Sequence, residues 1–88
     1  NPGSCFCNSL PFLIALSTIN MNMTVNETIT ALTLNAAASL GKADTLGSIE
    51  EGKQADFVIL NWESPDFLSY HIANNNVKNL YIKGVKQF

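Results

Sequence analysis

Across residues 10–19 the chain places Leu10, Leu13 and Ile14 on one helical face, while Phe12, Leu16 and Ile19 fill much of the other. This period predicts a helix that is apolar nearly all round, a kind that belongs inside a larger body of protein. A second helical period, Val25, Ile29 and Leu32, carries a helix to about Thr33. It opens on Thr24-Val25-Asn26-Glu27, the spacing at which the Thr24 hydroxyl accepts the Glu27 N–H and the Glu27 carboxylate reaches back. A short further helix is expected through Asn35 to Leu40, with Asn35 as the junction and Gly41 as a left-handed cap.

The character then changes from helix to turn and strand, which puts the boundary between two parts near Leu46. Gly47 and Gly52 reach positive φ cheaply, and the polar residues between them suit a tight solvent-facing connection. Phe57-Val58-Ile59-Leu60 is a continuous apolar run, the pattern of a strand covered on both faces. Asp56 stands at the strand entry, where a carboxylate is expected to bond nearby backbone amides. Residues 62–76 read as a long polar-aromatic loop with Pro65, Tyr70 and His71, and Asn74-Asn75-Asn76 supplies turn chemistry. Val77, Leu80 and Ile82 lead to Lys83-Gly84, a two-residue turn, with Val85 to Phe88 as the returning arm of a hairpin.

Composition sharpens this picture. The sequence has 88 residues, 47% hydrophobic and only 14% charged, more apolar side chain than a small domain covers on its own. A net charge of -2, with lysines scattered at 42, 53, 78, 83 and 86, leaves no basic stripe and argues against a nucleic-acid partner. No apolar run approaches the ~20 residues that span a bilayer, and no secretory leader pattern is evident. The expectation is a soluble cytoplasmic protein without a membrane partner.

Cys5 and Cys7 are too close for an easy intrachain disulfide and are expected to be reduced thiols. A Cys-x-Cys pair needs two further zinc ligands, and His71 is the only other soft one, so no complete metal site is expected. The sequons Asn22-Met23-Thr24 and Asn26-Glu27-Thr28 would matter only in a secreted chain. A lone histidine beside Tyr70, without a paired carboxylate or nucleophile at motif spacing, is expected to pack rather than to catalyse.

Four segments together carry a resemblance. They are Asn1-Pro2-Gly3-Ser4, residues 33–41 (TLNAAASLG), residues 47–60 (GSIEEGKQADFVIL) and Tyr70-His71-Ile72-Ala73-Asn74. With these, nearly the whole chain resembles the C-terminal end of the imidazolonepropionase family of amidohydrolases. It departs at Cys5-Phe6-Cys7, where the family often carries a small or polar residue after the Ser/Thr, and at Ile72 and Ala73. The resemblance implies an α+β fragment. Residues 1–46 would be the last helices of a metal-dependent (β/α)8 barrel, and residues 47–88 the C-terminal part of a small β-sandwich domain built from both chain ends.

The activity implied is hydrolysis of the ring C–N bond of 4-imidazolone-5-propanoate to N-formimidoyl-L-glutamate, a step of histidine degradation. Zinc or iron would serve it, held by histidines and an aspartate outside this chain, the aspartate two residues ahead of the Asn-Pro-Gly-Ser/Thr sequence. By resemblance Asn1, Gly3 and Ser4 contact substrate, while no residue here is catalytic or a metal ligand. Their types suit substrate contact, since they offer an amide that donates and accepts, a glycine that admits close backbone approach, and a hydroxyl that can bond a carboxylate or ring carbonyl. Taken alone, Asn-Pro-Gly-Ser is equally an ordinary turn. The implied partners are a small-molecule substrate and the missing N-terminal part of the same enzyme, with a homo-oligomer allowed, and the fragment alone would be inactive. Two alternatives stand beside this reading: a fragment of another amidohydrolase of nucleobase deaminase or dihydroorotase type, and a non-catalytic assembly module whose apolar faces and sheet edge bind a partner.

Overall fold

A computed structural model describes residues 3–72 and 74–88 of the chain. Helix α1, Leu10–Asn20, begins where Ser9 Oγ accepts the Phe12 N–H at 3.4 Å, and Pro11 sits in the first turn, where its missing N–H costs nothing. Its inner face buries Ile14 and Ala15, while Leu10 and Ile19 remain more than half exposed. The all-round apolar character is therefore real, and only part of it is used among the described residues.

Helix α2, Val25–Thr30, carries the expected reciprocal cap. The Glu27 N–H donates to Thr24 Oγ1 at 3.1 Å and the Thr24 N–H donates to Glu27 Oε2 at 3.0 Å. Threonines tolerate this helix because their hydroxyls bond back along it: Thr28 Oγ1, on the most buried side chain described, donates to the Thr24 carbonyl at 2.9 Å.

The expected junction at Asn35 is a change of helix type rather than a break in the path. Asn35 has helical angles, φ −68 and ψ −37, and makes no capping bond that would turn the chain aside. The irregularity is instead a π-helical turn, Ala31–Asn35, in which the Ala36 N–H reaches the Ala31 carbonyl five residues back. The path continues through α3, Ala36–Ser39, and ends at Gly41 with φ +69. There the Gly41 N–H meets the Ala38 carbonyl at 3.0 Å and the Lys42 N–H meets the Ala37 carbonyl at 2.8 Å, the paired bonds of a Schellman cap.

Gly47 packs directly on the widened turn. A Cβ there would lie 2.8 Å from Ala37 Cβ and 2.9 Å from Leu34 Cα, and the residue holds φ +95. Glycine is required at this position on both grounds, steric and conformational. The tight approach joins the helical run to the strands that follow.

Those strands form one antiparallel sheet in the order β1-β2-β3: Phe57–Leu60, Val77–Ile82 and Val85–Lys86. Phe57 faces Tyr81 and Val58 faces Leu80, and a bulge shifts the register between Ile59 and Leu60. The Phe57 and Tyr81 rings stack across the pair at 4.6 Å. Asp56 behaves as a strand-entry residue: its Oδ1 accepts the Lys83 N–H at 2.8 Å, and the neighbouring Ala55 carbonyl accepts the Gly84 N–H at 2.8 Å. Lys83 and Gly84 both have positive φ, 52 and 78, the geometry of a type I′ hairpin. The returning arm is shorter than expected. Beyond Lys86 the Gln87 N–H and the Phe88 carbonyl both bond to Leu80, so two residues oppose one and regular pairing ends.

The covering expected on both faces of β1 is absent among the described residues: Val58 is 48% and Ile59 42% exposed. Neither side chain is closely covered, so the apolar run is that of an inner strand while its setting here is open. The segment after β1 is also more ordered than a plain loop, because Phe67–Tyr70 forms a short helix, α4. The Asp66 N–H bonds Ser64 Oγ at 3.2 Å before it, and Thr18 Oγ1 meets Ser69 Oγ at 3.0 Å, tying α4 to α1. A folded monomer of 9.6 kDa exposes about 5,100 Å² on average. This chain exposes 6502 Å², and its buried apolar side chains among the described residues are Ile14, Ala15 and Ala37.

Candidate functional site

Gly3 and Ser4 lie in a turn at the start of the described chain, exposed, and Asn1 falls outside the described residues. The segment runs on without helix or strand through Cys5, Phe6 and Cys7 to the Ser9 cap of α1. Both cysteines are free and exposed, and Cys7 Sγ approaches the Ser9 carbonyl at 4.0 Å.

A second feature was not foreseen from the sequence. A cleft of about 790 Å³ opens between the helical run and the sheet, lined by Ile29, Leu34, Phe57, Val58, Leu80 and Tyr81. Its residues are far apart in the chain, so no spacing rule links them. The only signal was the apolar excess, which the structure turns into a wall of side chains facing open space. Asp56 and Ser48 stand among its polar lining.

At the Gly47–Gly52 connection, Glu50 bonds Ser48 Oγ, and Lys53 Nζ lies 3.0 Å from Glu50 Oε2 and 2.7 Å from Ser48 Oγ. The Ser48 hydrogen bond, and after it Lys53, hold the Glu50 carboxyl below its ordinary range. This triad is a surface clasp and has no catalytic geometry. His71 is equally a packing group. Its ring lies parallel to that of Trp62 at 4.7 Å and 5°, beside Phe67, which stacks on the same indole at 4.9 Å. Phe67 and His71 are four residues apart, the spacing that places both rings on one side of α4. That spacing, read with Pro65, was the signal by which the short helix could have been found.

Among the described residues no group of three or more His, Cys, Asp or Glu side chains could hold a metal ion. No described helix is long and apolar enough to cross a membrane. The described residues therefore supply a turn, a cleft and packing surfaces.

Known proteins resemble this arrangement closely. The model of the amidohydrolase family matches residues 5–86. An imidazolonepropionase of Porphyromonas gingivalis is 56% identical over 84 residues, covering 96% of this chain and 20% of that protein. One of Phocaeicola vulgatus is 57% identical over 84 residues with the same coverage, and one of Clostridium tetani is 48% identical over 84 residues. The crystal structure of an amidohydrolase from Thermotoga maritima superposes with a TM-score of 0.70 at 30% identity, over 90% of this chain and 19% of that one. The chain belongs to the amidohydrolase family. It spans about a fifth of the length of the curated relatives it matches. Amidohydrolases are generally metal-dependent, and the donor set among the described residues does not fit a metal centre.

Proposed function

We propose that this chain is the C-terminal portion of an imidazolonepropionase, a soluble cytoplasmic enzyme that hydrolyses the ring C–N bond of 4-imidazolone-5-propanoate and yields N-formimidoyl-L-glutamate. The observation that carries the reading is the identity to imidazolonepropionases, 56–57% over 84 residues and 96% of this chain. In this assignment residues 1–46 are the last helical part of the barrel, and residues 47–88 contribute to the small β domain. The open faces of β1 and α1 and the cleft between helices and sheet receive the preceding part of the same enzyme. Its zinc or iron is held there, by residues outside this chain, and no chemical step is assigned to the side chains described above.

What this chain brings to catalysis is substrate binding. Asn1, Gly3 and Ser4 contact the small-molecule substrate: Asn1 through an amide that donates and accepts, Gly3 by admitting its backbone, and Ser4 through a hydroxyl. Orientation of this kind lowers the barrier by fixing the reacting bond relative to the attacking water.

The test is made on the complete enzyme with metal bound. Loss of the ultraviolet absorbance of 4-imidazolone-5-propanoate, with formimidoylglutamate identified by mass, is the expected result. A folded, metal-loaded enzyme without this turnover would defeat the assignment in favour of another cyclic amide or a nucleobase. In the active enzyme Asn1→Ala is expected to lower kcat/KM by about 1–3 kcal/mol of lost polar contact with metal content unchanged. Full activity in that variant would remove Asn1 from the site.

A further inference from the structure

We draw no further inference here: the strongest candidate, the apolar cleft of about 790 Å³ between the helical run and the sheet, carries nothing beyond the function proposed above, because nothing in the structure shows what covers it.

Discussion

The caps and turns of this chain and its broad faces differ in how far they are completed from within. The Thr24–Glu27 box, the Gly41 cap and the Asp56–Lys83 bond each satisfy their polar groups with neighbours in this chain. The faces of α1, of β1 and of the cleft between helices and sheet do not: Leu10, Ile19, Val58 and Ile59 stand at 57, 58, 48 and 42% exposure. Hydrogen bonds within this chain thus specify the elements, while extensive burial, which supplies most of the stability of a fold, is not achieved among the described residues. The chain reads as well-formed parts without most of a core.

The contrast can be broken most sharply at Gly47, where the two kinds of region meet. Gly47→Ala adds a Cβ 2.8 Å from Ala37 Cβ at φ +95, combining steric overlap with a strained backbone. A loss of about 2–4 kcal/mol is expected, read as a lower urea midpoint in the complete protein. A midpoint within experimental error of the parent would mean that the approach between the π turn and the strands is not a fixed feature. Thr24→Ala tests a purely local device and should cost about 1 kcal/mol by the same measurement. It should leave the Gly47 contact intact, so the two effects are expected to add.

The smallest effect concerns pH. Glu50 has its folded pKa lowered, by Ser48 first and Lys53 second. A depressed carboxylate contributes stability above its unfolded pKa, and that contribution is lost as pH falls through the folded value. Glu50 is exposed, so the change is slight, and it should vanish in Glu50→Gln. An acid unfolding profile that is identical in parent and variant fits a clasp with no energetic role.

How much of this was legible in the sequence follows the same division. The capping box, the left-handed Gly41 and the Lys83-Gly84 hairpin were readable because each depends on a few adjacent residues with distinctive chemistry, and Asp56 was readable by its place at the strand entry although its partner, Lys83, is distant in the chain. The π turn was not, because it appears where Gly47, twelve residues beyond Asn35, packs on the helix. Helix α4 escaped for a related reason: its Phe67 and the adjoining His71 are held by stacking on Trp62, a tertiary contact that a polar-aromatic composition hides. The cleft has no sequence signature, being made of residues from separate elements. For the site, Gly3 and Ser4 rest on family resemblance, and the structure adds that they occupy an exposed turn leading to α1.

The most direct test of the claim that these open faces belong against further protein is sedimentation of the isolated 88-residue chain over a range of concentrations. Self-association that rises with concentration is expected, driven by the apolar faces of α1 and β1 and by the unpaired sheet edges. A sharp, folded monomer at the highest concentration would contradict it, and would favour a free-standing module over a portion of a larger enzyme.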